Sequence, residues 1–179
     1  MTQQEFFDKY GSDAQEAMRK TGIPASVTLA QAALESAYSA YAFQNNFFGI
    51  KASKNWQGKT QLLRTTECLP SNDPEYLQKH GMPAFPEVIS IEPSNREGWY
   101  IWHIRDYFRA YDTALEGFID HANFFIVNTR YSLAIQDEKN AEKFAEDIAK
   151  AGYATAPNYG ESLIALIKEF NLTKYDSLV

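Results

Sequence analysis

The sequence predicts an α+β fold that is mostly helical, and three observations carry the prediction. Apolar residues recur at helical spacing toward both ends of the chain. Two middle segments, 59–69 and 98–111, instead favour extended backbone, being rich in Thr and Leu in the first and alternating aromatic, β-branched and polar residues in the second. Between them lie five of the seven prolines, Pro70, Pro74, Pro83, Pro86 and Pro93. At 179 residues the chain is expected to be one domain over 1–179, with 45% hydrophobic residues to build its core. No internal repeat, low-complexity tract or linker divides it.

Taken in order, Thr2 and Glu5 form a capping-box pattern, and Phe6, Phe7, Tyr10, Ala14, Ala17 and Met18 follow at helical spacing up to Gly22, so a helix is expected over about 2–20. Pro24 fits the first turn of a second helix that runs to about residue 39 and contains Leu29, Ala30, Ala32, Ala33 and Leu34. Residues 40–58 have no periodicity and read as a loop dense in Asn, Phe, Gly and Trp. The segments 59–69 and 98–111 are expected to pair as a small antiparallel sheet, with 70–97 an irregular flap that its prolines keep from forming a ladder. Thr113 and Glu116 open a helix to about Val127, another spans about 139–151 and stops at Gly152, and a last one covers about 158–170.

Composition excludes several function classes. A net charge of −6 provides no basic field for nucleic acid or an anionic membrane. No apolar stretch approaches membrane-spanning length, and the N-terminus lacks the basic start and apolar run of a signal peptide. One cysteine, Cys68, rules out an internal disulfide framework. His80, His103 and His121 have no metal-site spacing, and no phosphate loop or nucleophile elbow occurs, so no metal and no cofactor are expected. The 15% aromatic content suits either an aromatic core or a cleft lined with rings.

Carboxylates remain. Glu35 follows Ala-Ala-Leu near the end of an apolar helix and precedes the aromatic loop, so its carboxyl is expected to be partly desolvated and its pKa raised, as a general acid requires. A helical Glu is as readily a solvated surface residue, and Glu35 taken alone leaves both readings open.

The ordered set "LAQAALES", "NNFFGIKAS", "NWQG", "TTEC", "FRAY", "NTRY" and "AGYATAPNY" resembles the peptidoglycan glucosaminidases of glycoside hydrolase family 73, over about residues 12–168. The resemblance implies a lysozyme-like fold, with a helical lobe and a small antiparallel β-lobe, here about 59–111 with its insertion, flanking a substrate cleft. It implies hydrolysis of the β-1,4 bond that follows N-acetylglucosamine in the wall glycan. Carried over residue by residue, the family's catalytic acid falls on Glu35, its second carboxylate on Glu67, its conspicuous tyrosine on Tyr153 and the tyrosine closing that motif on Tyr159. This chain departs from the family at Ala37, Tyr38 and Ser39, where Gly-Trp-Gly is usual, at Ala156, where Asp is customary, and in the proline-rich excursion.

Glycosidic cleavage needs a proton on the leaving oxygen and stabilisation of an oxocarbenium-like transition state, which two carboxyl groups commonly provide. Glu35 and Glu67 would be that pair by an inverting route; in a substrate-assisted one the sugar's acetamido group attacks while Tyr153 supports it. Asn45, Asn46, Phe48, Trp56 and Tyr159 are candidate sugar-binding residues, each of which also reads as packing or as a loop anchor. Muramidase specificity and a non-catalytic wall-binding module are the alternatives, and a cytosolic interaction protein is a third class. The expected partner of this monomer is the peptidoglycan strand, met in the periplasm or cell wall. An autolysin, a phage lysin and an interbacterial effector all fit, the last accompanied by an immunity protein.

Overall fold

The computed structural model describes residues 1–177. Its chain forms two compact units, one from Met1–Ile50 together with the chain from Ala110 onward, the other from Lys51–Arg109.

In the first unit, helix α1 (Gln3–Thr21) opens with the expected capping box: the Glu5 N–H donates to Thr2 Oγ1 at 3.2 Å and the Thr2 N–H donates to the Glu5 carboxylate at 2.7 Å. Its buried face is Phe6, Phe7, Tyr10, Ala14 and Ala17. Helix α2 (Ala25–Ser36) is buried on nearly every side, because Ala25, Ala30, Ala32 and Ala33 let neighbouring elements approach its backbone closely. Pro24 precedes α2 and offers no side-chain cap. The cap comes from far along the chain, where the Asp176 carboxylate accepts the Ser26 N–H at 2.8 Å and the Ser26 hydroxyl at 2.7 Å.

Helix α2 stops short of the expected end near residue 39. Ala37, Tyr38 and Ser39 take left-handed φ of 47, 54 and 71°, and the Tyr38 N–H returns to the Ala33 carbonyl at 2.9 Å. Three consecutive residues in that region end a right-handed helix.

The C-terminal half of this unit contains α4 (Ala114–Val127), α5 (Ser132–Gln136), α6 (Ala141–Lys150) and α7 (Tyr159–Glu169), followed by a 3₁₀ turn at Leu172–Tyr175. The short α5 and the closing turn are additions to the predicted elements. The Thr113 cap on α4 forms as expected, but Glu116 reaches back to the N–H of Asp112, one residue earlier than a capping box requires. Phe6, Phe7, Phe47, Phe118, Phe125, Tyr131 and Phe144 are all at most 2% exposed, so the aromatic excess goes largely into the core.

The second unit is a three-stranded antiparallel sheet of β1 (Thr60–Leu69), β2 (Glu87–Pro93) and β3 (Tyr100–Arg109) in the order β1-β3-β2, with one helical turn, α3 (Tyr76–Lys79). The pairing of β1 with β3 is the predicted one. Strand β2 is a correction: part of the segment expected to be wholly irregular forms a ladder. Pro86 lies just before β2 and Pro93 is its last residue, so the prolines bracket the run Glu-Val-Ile-Ser-Ile-Glu instead of interrupting it. The strand also lies on the sheet edge, where a missing donor is tolerated. Trp102 and Ile104 are fully buried in this unit, with Leu77 and Phe108 nearly so, and the Trp102 indole N–H donates to the Ser71 carbonyl at 2.8 Å.

Candidate active site

Glu35 is the penultimate residue of α2, one turn after Gln31 on the same helix face. Tyr159, the first residue of α7, fills the position between them. The Gln31 amide donates to the Tyr159 hydroxyl at 3.0 Å, so the Tyr159 proton is free to go onward, and it donates to Glu35 Oε1 at 3.2 Å. This relay holds one carboxyl oxygen in place, while Glu35 as a residue remains exposed to solvent.

Burial of the carboxyl against the protein raises the Glu35 pKa from its ordinary value of 4.5, and the hydrogen bond from Tyr159 offsets only part of that. Its place at the C-terminal end of a helix, where the dipole is negative, acts in the same direction as burial. Burial also pushes the Tyr159 and Tyr153 hydroxyls above the ordinary tyrosine range, with the nearby Glu35 charge adding to the effect in both. Both phenols are therefore neutral hydrogen-bond donors at any physiological pH.

Tyr153 follows the left-handed Gly152 that ends α6, where φ is 78° and the Tyr153 N–H bonds back to the Ile148 carbonyl at 3.0 Å. Its ring stacks on Tyr159 with centroids 5.5 Å apart, and its hydroxyl lies 2.8 Å from Nε2 of His121. His121, on α4, is 2% exposed and stacks on Phe48 at 3.6 Å, with the rings 8° from parallel. Glu35, Tyr159, Tyr153, His121 and Phe48 are thus linked by successive contacts.

The remaining candidates occupy other roles. Asn46 is buried and closes its own loop, its amide donating to the Ile50 carbonyl at 2.9 Å and accepting the Ile50 N–H at 3.0 Å. Asn45 donates to the Tyr111 carbonyl at 3.0 Å, and its own carbonyl lies where a side chain on Gly117 would be, 2.5 Å from an added Cβ. Both asparagines therefore anchor the loop that presents Phe48.

Glu67 and Trp56 belong to the second unit. Glu67, on the more covered face of β1, is ion-paired with Lys51, which also reaches Asp106 at 2.8 Å. Burial would lower the Lys51 pKa, but its hydrogen bonds to Asp106 and Glu67 outweigh that and hold it above the usual lysine range. Trp56 is fixed by an indole N–H to the Lys59 carbonyl at 2.9 Å and by the Arg109 guanidinium 4.3 Å from its ring centre. It lines a groove of about 820 Å³ in this unit together with Lys51, Phe85, Pro86, Asp106 and Tyr107.

Three of these residues are absent from the sequence-derived set. Gln31 had a signal, a polar residue four positions before Glu35 among alanines. His121 and Lys51 had none, since their partners Tyr153, Glu67 and Asp106 are distant in the chain. Among the described residues no group of three or more His, Cys, Asp or Glu could hold a metal ion, and no helix is long and apolar enough to cross a membrane.

The family model for glucosaminidases, described as mannosyl-glycoprotein endo-beta-N-acetylglucosaminidase, matches residues 11–172. The peptidoglycan hydrolase FlgJ of Vibrio cholerae is 30% identical over 178 residues, covering 94% of this chain and 45% of that protein. This chain thus spans less than half the length of that curated relative. The glycoside hydrolase domain of Salmonella typhimurium FlgJ is similar in structure, with a TM-score of 0.70 at 25% identity, covering 97% of this chain and 91% of that one. The catalytic domain of the Listeria monocytogenes autolysin Auto gives a TM-score of 0.69 at 28% identity, covering 97% and 87%.

Proposed function

The chain belongs to the glucosaminidase family, and from that premise we propose that it hydrolyses the β-1,4 bond following N-acetylglucosamine in peptidoglycan, with Glu35 as the general acid. The observation that carries the assignment is the Gln31–Tyr159–Glu35 relay at the end of a buried helix. A carboxyl with a raised pKa keeps its proton into the pH range where a surface glutamate has lost it, and can hand it to the glycosidic oxygen as the C–O bond breaks. Tyr159, already donating to that carboxyl, then stabilises the carboxylate left behind.

Tyr153 is the second donor, supporting the acetamido group of the sugar. Glu67 is the second carboxylate of this proposal, supported by its place in the "TTEC" motif and by the Lys51 ion pair that orients it. The enzyme acts as a monomer on glycan strands of the periplasm or cell wall, and an inhibitor or immunity protein that covers the Glu35 surface is the partner expected in an antibacterial setting.

Glu35→Gln keeps the shape and removes the transferable proton, so release of sugar from purified sacculi is expected to fall on the order of a thousandfold with the fold intact. Near-normal turnover by that variant would remove Glu35 from the role. Mass spectrometry of borohydride-reduced products is expected to find reduced N-acetylglucosamine at the new ends; reduced N-acetylmuramic acid would instead identify a muramidase. A large loss in Glu67→Gln with unchanged binding favours the paired-carboxylate route, and a mild loss favours substrate assistance.

A further inference from the structure

His121 has one ring nitrogen engaged and the other enclosed. Nε2 meets the Tyr153 hydroxyl at 2.8 Å, whereas Nδ1 is buried and has no hydrogen-bond partner among the described residues. Burial drives the His121 pKa down to about 3, so the imidazole is neutral and carries a single N–H. Two tautomers are then available, and they differ in what Tyr153 can do.

With the proton on Nδ1, an N–H donor is sealed away without an acceptor, and Nε2 must take the Tyr153 proton. With the proton on Nε2, the enclosed atom is a bare lone pair, and the Tyr153 oxygen accepts. Buried orphan donors are rarer than buried orphan acceptors, because an unmet donor forfeits its full hydration with nothing in return. The enclosed Nδ1 therefore selects the second arrangement. The Phe48 ring stacked 3.6 Å from the imidazole blocks one face and keeps the ring from swinging out of register.

We propose that His121 is a positioning residue that donates from Nε2–H to the Tyr153 oxygen, and so directs the Tyr153 hydroxyl proton away from the core to an oxygen acceptor on a bound N-acetylated sugar. This rests on the glucosaminidase reading. Tyr153 stacks on the tyrosine that holds Glu35, so the proton turned outward by His121 is offered on the side where the acid works. His121 touches no substrate, and acts through the direction of one O–H bond.

Nitrogen-15 spectra of the imidazole in the intact wild-type protein are expected to show a protonated Nε2 and a bare Nδ1, and a protonated Nδ1 would overturn the proposal without reference to activity. His121→Phe keeps the stack on Phe48 and removes both nitrogens, so it is expected to keep or raise the melting temperature while lowering kcat on the order of tenfold to a hundredfold. His121→Gln, whose amide N–H can reach the same oxygen, is expected to recover most of that loss. In a Tyr153→Phe background, His121→Phe is expected to have no further effect on kcat, and multiplicative losses would show that His121 does not act through Tyr153. Failure of the underlying reading looks different, since the wild-type chain would then release no product ending in N-acetylglucosamine.

Discussion

A carboxyl group at the C-terminal end of a buried helix costs the folded protein stability whenever it is ionised. Glu35 is such a group. Its folded pKa stands above the ordinary value of 4.5, so the native state holds the proton more tightly than the unfolded chain. Its favourable contribution is complete below the unfolded value and is lost as the pH rises through the folded one. Glu35→Gln is therefore expected to raise the melting temperature at pH 7, with the gain vanishing near pH 4, measured by thermal denaturation at both values. A variant that is inactive and more stable would mark Glu35 as a residue retained against the interest of the fold. The raised pKa of Glu35 was legible in the sequence because desolvation follows from its apolar neighbours along one helix. Tyr159 could be placed only by analogy, and the His121 contact with Tyr153 links residues 32 positions apart.

At the scale of elements, long amphipathic or capped helices were readable and breaks in regularity were not. The capping box on α1, the Thr113 cap on α4 and the Gly152 stop after α6 depend on residues within one turn of one another, and all appear where the sequence places them. Strand β2 was hidden because prolines on both sides of a short β-branched run look like an interruption when the partner strand is unknown. The end of α2 was hidden because Ala37 and Ser39 are ordinary helix residues that adopt left-handed backbone. Tyr38 shows what holds them there: its ring lies edge-on to Phe6 at 5.7 Å and to Phe7 at 6.1 Å, and its hydroxyl accepts the Gln3 amide at 2.9 Å. Left-handed backbone costs a residue with a Cβ about 1–2 kcal/mol, and glycine returns part of that as entropy of the unfolded chain. Ala37→Gly and Ser39→Gly are each expected to stabilise the protein by about 0.5–1 kcal/mol, read from denaturant unfolding, with Tyr38 and helix α2 undisturbed. Destabilisation by either would mean that the turn owes its shape to those methyl and hydroxymethyl groups.

At the scale of the whole molecule, the sheet-bearing unit is inserted between Ile50 and Ala110 of the helical one, so the helical unit is discontinuous in sequence. The change from helical to extended patterning near residue 59 and back after 111 marked the strands in the sequence, whereas the unit itself begins at Lys51, within the stretch that read as loop. What no local pattern could show is the cap that Asp176 provides for Ser26 across 150 positions. Asp176→Ala is expected to cost about 1–2 kcal/mol and to lower the melting temperature by roughly 3–6 °C, measured calorimetrically. Little or no shift would show that water replaces the carboxylate at that helix end. The same contact sets an order of events during synthesis. Helix α2 leaves the ribosome well before the residue that seals its first turn, 150 positions further on, and bringing them together closes a very long loop. The helix that carries Glu35 is thus secured at its start only once Asp176 has been made, 150 positions after Ser26, so a chain that stops short of Asp176 leaves that helix unlatched.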